Sequence, residues 1–230
     1  MTPSAPPWDD DDPADLQTIA ANTSALLVRM LAVSSARSMP GAVDVCRWHT
    51  ALYAGCSVPV AGYVGRFRGD PGVPELVGYE VGVGPIQPDG YPDRVGLWSA
   101  ELPAALSSFF TGLPAALARL DQVLAPGQRP TSVDELEAVV GLTALVHGEW
   151  LRLHPFANGN GRTGRLWAAF IALRYSVPIF VSVKPRPHDV AYERAGRASM
   201  GRPPAFAGDH STAVGVFGHL LSLGLLAPPP

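Results

Sequence analysis

The stretch that most constrains this chain runs from residue 132 to residue 175, where two helical patterns meet at a short glycine-rich break. Ser132 and Glu135 form an S-x-x-E capping box, which marks a helix start. Leu136, Val139, Val140, Thr143, Val146, Trp150 and Leu153 then recur at helical spacing. The helix is expected to stop at His154, because Pro155 disfavours the α conformation in the residue before it. A second helix is expected from about Arg162 to Tyr175, ahead of Val177-Pro178. The break reads HPFANGNGRTGR over residues 154–165. It places a histidine at one helix end beside the first turn of the next helix.

That arrangement has a chemical reading. A histidine accepts or relays a proton near neutral pH. A glycine-rich turn leading into a helix can cradle phosphate oxygens on backbone N–H groups. Arg162 and Arg165, three residues apart, share a helix face and can clamp the same anion. Arginines in a first turn oppose the helix dipole, and a bound anion removes that conflict. Base, anion cradle and cationic clamp together suit a nucleotide-dependent transfer. Each part also has a plain alternative. The histidine can bond a carbonyl at a helix end, Asn158 and the glycines can be ordinary turn residues, and the arginines can be solvated.

Other sites built from the same residues fit less well. Gly159, Gly161 and Gly164 satisfy G-x-G-x-x-G, but a dinucleotide fold needs a preceding strand and a later acidic residue. Here a helix precedes the glycines, and residues 181–187 read VSVKPRP. No GxxxxGK(S/T) run exists. His147 and His154 are seven apart, with Glu149 between, whereas a zinc-binding HExxH pair is four apart. His147 is expected to pack or hydrogen-bond beneath the loop.

Composition narrows the partners. The formal net charge is −3, so no nucleic-acid partner is expected. Lys184 is the only lysine. Cys46 and Cys56 make no metal spacing and are read as two reduced thiols, with a disulfide between them left open. No N-terminal secretory pattern is visible. Residues 166–183 come nearest to a membrane span, but Arg174 and Pro178 interrupt them, so no membrane partner is expected. A cytoplasmic location follows, with export as an effector left open.

Residues 1–13, rich in proline and aspartate, read as a disordered, solvated leader. Helices are expected over Asp15–Ser35, Val43–Tyr53, Ala100–Phe110 and Pro114–Leu124, and after Asp189 and Asp209. Val60–Phe67 and Leu76–Val83 read as short strands of a hairpin or flap-like excursion. The fold class is mainly α with that small β element.

The run 154–165 closely resembles the Fic (Fido) signature HPFx(D/E)GNGRxxR, matching at His154, Pro155, Phe156, Gly159, Asn160, Gly161, Arg162 and Arg165. Weaker resemblance covers WHTALYAG (48–55), AGYVGRFRG (61–69), VHGEWLRLHPF (146–156) and the helices over 190–225. The resemblance implies a Fic/Fido helical fold with a β-hairpin flap within Val77–Ile86, as a single domain over 14–227. It also implies a protein adenylyltransferase. His154 would take the proton of a Ser, Thr or Tyr hydroxyl on a target protein, and Phe156 would anchor the loop. Gly159, Asn160 and Gly161 would form the anion hole, with Arg162 on the β phosphate and Arg165 on the γ phosphate of ATP. The hydroxyl would attack the α phosphorus, and the flap would align the target by strand addition.

One position departs. Asn158 stands where the family usually has an acidic residue that positions Mg2+, so it is at best a weak metal ligand. Two readings follow beside AMP transfer from ATP: a transferase using another nucleotide or phosphorus donor, and a nucleotide-binding regulator with little turnover. The related Doc branch, which moves a γ phosphate, carries a lysine-containing sequence in place of part of GNGR, whereas GNGR is intact here. The family's inhibitory helix, (S/T)xxxE(G/N), has no match. Thr131 to Glu135 has the spacing, but Leu136 follows. Inhibition, if present, falls to a separate partner.

Overall fold

α5 (Asn160–Arg174) lies at the centre of the fold, with thirteen of its fifteen residues buried. A helix apolar on every side belongs inside a protein, and Leu166 to Ala172 are apolar without a break. The computed structural model describes residues 6, 8, 13–82, 85–88, 90, 96–203 and 206–226. Among these are seven α-helices: α1 (Pro13–Ser35), α2 (Ala42–Leu52), α3 (Leu102–Val123), α4 (Val133–Leu153), α5, α6 (Val190–Met200) and α7 (Ser211–Leu226). α4 packs along α5, and α1 and α2 pack against each other and against α5. α3, α6 and α7 cover the remaining flanks of α4.

The α4–α5 pair forms as its sequence dictates. The Ser132 side chain accepts the Glu135 N–H at 3.2 Å, and the Glu135 carboxylate accepts the Ser132 N–H at 3.2 Å. The two helices are then pinned by a buried polar bond, Trp150 Nε1–H to Thr163 Oγ1 at 2.8 Å. Trp150, Phe156, Trp167 and Phe170 are wholly buried at this seam. Each such side chain contributes roughly 1.5–3 kcal/mol by leaving water.

Several expectations are revised. α3 is one helix through Pro114, not two. Pro114 lies on the exposed face, where the carbonyl it deprives of a helical donor can bond water. Leu102, Leu106, Phe109, Leu113, Leu117 and Leu120 keep a continuous buried stripe past it. The strands expected over Val60–Phe67 and Leu76–Val83 do not form among the described residues. The chain there makes short 3-10 turns at Ala61–Tyr63 and Pro74–Leu76. The flap region shows only single bridge pairings at Gly82 and Ile86, and residues 83 and 84 lie outside the described residues. The reason is that tertiary partners, not a ladder, satisfy this backbone. Gly65 N–H donates to His49 Nδ1 at 3.0 Å, Arg68 N–H to the Pro155 carbonyl at 2.7 Å, and Gly69 N–H to the Leu76 carbonyl at 2.8 Å.

Most of the leader 1–13 lies outside the described residues. Of those described, Trp8 is buried against Tyr53, its ring centroid 4.6 Å away, and Tyr63 Oη donates to the Pro6 carbonyl at 3.1 Å. α1, and not the 166–183 stretch, is long and apolar enough, by length and composition, to cross a bilayer. Its Ile19, Leu26 and Met30 are buried against the rest of the domain. Cys46 and Cys56 are free thiols.

Candidate active site

His154 closes α4 in the left-handed region, with φ 49° and ψ 53°. This conformation is uncommon for a residue with a side chain. It is held in place by a buried guanidinium. Arg68 donates through Nε to the His154 carbonyl at 2.7 Å, and through its terminal nitrogens to Leu97, Leu153 and Tyr79 carbonyls and to Glu80. These acceptors are the carbonyls freed at the end of α4, joined to those of residues that lead into and out of the flap region. Burial holds the Arg68 pKa below the ordinary arginine value, against the pull of Glu80. Gly96 packs directly on the histidine. A Cβ there would sit 1.9 Å from His154 Cβ.

The tautomer of His154 follows from its partner. Nδ1 lies 3.2 Å from the Leu151 carbonyl, which can only accept, so Nδ1 carries the proton. Nε2 is left as the proton acceptor. Burial, and then the charge of Arg68, lower the His154 pKa to about 4, so the ring is neutral at pH 7.

The following turn is clasped from inside. Asn160 Oδ1 accepts the Phe156 N–H at 2.8 Å, and Asn160 Nδ2 donates to the Phe156 carbonyl at 2.9 Å. The Asn160 side chain thus ties the loop, and the part of this residue that serves an anion is its backbone. Phe156 stacks on His49 at a centroid distance of 3.9 Å. Since Gly65 N–H donates to His49 Nδ1, the His49 proton is on Nε2, which donates to the Asn158 carbonyl at 3.0 Å. Burial depresses the His49 pKa to about 4. His147 lies beneath the loop, with Nε2 3.0 Å from the Tyr192 hydroxyl and its ring against Gly164.

Gly159 is the N-cap of α5, with φ 77° and no side-chain cap bond. A Cβ at this position would lie 2.5 Å from the Tyr53 hydroxyl. The first-turn amides of α5 therefore open on a cleft of about 520 Å³, lined by His154, by Asn158 to Arg162, by Arg165 and by a loop from Lys184 to His188. An uncapped helix N-terminus favours an anion. Arg162 donates to the Tyr53 hydroxyl at 3.0 Å, and Arg165 Nε to the Val183 carbonyl at 3.0 Å. Burial, and then the nearby charge of Arg165, lower the Arg162 pKa to about 10, so it stays cationic at pH 7.

The structure thus brings His154, Gly159, Asn160, Gly161, Arg162 and Arg165 to one cleft and leaves Phe156 in the core beneath it. Sequence reasoning assigned no role to His49, Arg68, Gly96 or Lys184. His49 and Arg68 fall in the segments WHTALYAG and AGYVGRFRG, and the loop groups they hold, the Asn158 and His154 carbonyls, are over eighty residues away in the chain. Lys184 carried one signal, being the sole lysine.

Asn158 is committed to protein partners. Its amide nitrogen donates to the Trp8 carbonyl at 2.7 Å, and its oxygen accepts the Gly159 N–H. Among the described residues that line the cleft, none carries a carboxylate. No three His, Cys, Asp or Glu side chains gather into a metal-binding group among the described residues. Magnesium is held by hard, usually anionic oxygens. This donor set does not suit a magnesium ion.

Comparison with known proteins agrees with this geometry. Residues 42–172 match the model of the Fic/DOC family. Among solved structures, the chain is similar to a Fic domain-containing signaling protein from Bacteroides thetaiotaomicron, with a TM-score of 0.62 and 18% identity, over 89% of this chain and 66% of that one. The chain thus spans slightly less than two thirds of that protein's length. No curated protein matches.

Proposed function

The chain belongs to the Fic/DOC family, and from that premise we propose that it is a protein adenylyltransferase moving AMP from ATP to a Ser, Thr or Tyr hydroxyl of a target protein. The observation that carries the reading is the single cleft shared by a neutral imidazole, an uncapped helix N-terminus and two buried arginines. The target oxygen attacks the α phosphorus, and the bond from that phosphorus to the bridging oxygen of the β phosphate breaks. The hydroxyl proton passes to His154 Nε2. The first turn of α5, with Arg162 and Arg165, holds the charge that develops on the departing pyrophosphate. Burial chiefly, and then the charge of Arg68, lower the His154 pKa, and a triphosphate bound nearby would offset the smaller, Arg68 part. A cytoplasmic location, where ATP is available and thiols stay reduced, accords with the reading.

Incubation with α-labelled ATP and candidate targets tests it. Label should transfer to protein, and His154→Ala should reduce the rate by about 10²–10⁴-fold while ATP still binds. Transfer that survives loss of the imidazole defeats the assignment.

The Asn158–Trp8 bond favours a second reading, a nucleotide-binding regulator with little turnover. Robust transfer by the wild-type chain eliminates it. Transfer that appears only in Asn158→Asp supports it.

A further inference from the structure

We propose that Glu80 is a positioning residue for His154: its carboxylate fixes both the guanidinium that holds the histidine backbone and the segment that packs on the histidine side chain. For the role of His154 this rests on the transferase reading above, to which it adds a residue outside the cleft lining.

Glu80 accepts from two parts of the chain at once. One carboxylate oxygen takes the Ser99 N–H at 2.9 Å and the Ser99 hydroxyl at 2.7 Å. The other takes an Arg68 Nη1–H at 3.0 Å and lies 3.2 Å from the Ser99 nitrogen. The Arg68 side chain is wholly buried, and buried charges are paired. The Glu80 side chain is 35% exposed, so it meets this cation from the solvent side.

Both arms of the clamp end on His154. Arg68 Nε–H donates to the His154 carbonyl at 2.7 Å, and Arg68 Nη2 donates to the Leu97 and Leu153 carbonyls at 2.7 and 3.3 Å. Through Ser99, Glu80 also fixes the segment 96–99, whose Leu97 N–H donates to the Arg152 carbonyl at 2.9 Å. Gly96 in that segment lies so near the histidine that a Cβ on it would sit 2.8 Å from the His154 ring carbon Cγ. The left-handed conformation of His154 persists only where the surroundings impose it. The bond from Nδ1 to the Leu151 carbonyl is 3.2 Å, at the long end of the range, so the tautomer depends on how the whole residue is held. A reacting group misplaced by about 1 Å can lose rate up to about 10²-fold. Nucleotide binding belongs to the first turn of α5 and is expected to be spared.

The test uses the full chain and two readouts. The first is the tautomer of each histidine, from long-range 1H–15N NMR without nucleotide, with the His154 signal assigned by its loss in His154→Gln. The second is kcat and KM for ATP in the label-transfer assay. Glu80→Gln keeps the side-chain shape but has one acceptor oxygen in place of two, so it cannot serve both Arg68 and the Ser99 N–H. It should turn the single Nδ1–H tautomer of His154 into a mixture. It should also lower kcat about tenfold, with KM for ATP within about threefold of wild type. Ser99→Ala removes only the hydroxyl bond and should act in the same direction, by about threefold in kcat. It decides the matter if Glu80→Gln does not fold. His49 is held by Gly65 and Asn158, and should keep its Nε2–H tautomer in both variants. A His154 tautomer unchanged in both variants overturns the proposal. So does a His49 tautomer that changes alongside it, because that is general loosening, or a kcat that stays at the wild-type value. If the wild-type chain transfers no label, the transferase reading falls, and the tautomers still decide whether Glu80 positions the imidazole.

Discussion

The two ends of α5 solve the same electrostatic problem in opposite ways. At the C-terminal end, Arg174 and Arg37 converge on one carboxylate, Asp121, at 2.6 and 2.9 Å, and Tyr175 Oη donates to it at 2.9 Å. The anion is built into the protein, and a cation at a helix C-terminus also suits the dipole. At the N-terminal end, Arg162 and Arg165 oppose the dipole and repel each other. Their acceptors include two neutral groups, the Tyr53 hydroxyl and the Val183 carbonyl. One end closes its charge internally and holds the fold together. The other gathers like charges at a helix start that lines an open cleft, a place that favours a bound anion.

The largest expected effect that tests this contrast is acid sensitivity confined to the N-terminal end. His49 and His154 have pKa values near 4 and His147 near 3, each lowered chiefly by burial from the usual 6.5. The unfolded chain therefore binds more protons than the folded one below pH 6.5. The stability these neutral rings contribute is complete above that pH and is lost as pH falls toward 4. Each unit of depression corresponds to about 1.4 kcal/mol, so the loss totals several kcal/mol. Hydrogen exchange corrected for intrinsic rates should show the 154–160 loop opening first between pH 6.5 and 4.5, with the Asp121 cluster protected. Uniform opening would erase the distinction between the ends.

A smaller effect should follow at the other end. Asp121→Ala leaves two largely buried arginines without their carboxylate, at a cost of about 3 kcal/mol, seen as a lower urea midpoint. ATP affinity should not change. A loss of ATP binding in this variant would show that the ends are coupled. The smallest stability change is expected for Arg165→Gln, within about 1 kcal/mol. The lost Val183 bond is offset by relief of like-charge repulsion at the helix start. Its ATP affinity should nonetheless drop about tenfold or more. A large destabilisation without a binding defect would mark Arg165 as structural and reverse the comparison.

The N-terminal end was readable in the chain because its logic is local. Ser132 and Glu135 announce the start of α4, Pro155 fixes its end, and Gly159 and Gly161 prepare the turn within a few residues. The C-terminal cluster was not readable. Asp121 and Arg37 are brought together from 84 positions apart, and nothing in either neighbourhood signals the other. The strand pattern over 60–83 misled for a related reason. Alternating apolar residues suit a sheet, but here His49, Arg68 and Pro155 take the hydrogen bonds a sheet would have made.

The order of the helices, the break at residues 154–165 and the identity of its base, amides and arginines were set by the sequence, since caps, helical period and glycine placement act over a few residues. What the tertiary structure decided was the state of those groups. Arg68 and Gly96 hold His154 in a left-handed turn as one tautomer, Asn160 is spent on the loop itself, Asn158 is drawn to Trp8, and Lys184 is delivered to the cleft. Contacts between distant segments depend on how whole helices pack, and short-range sequence patterns carry no record of that.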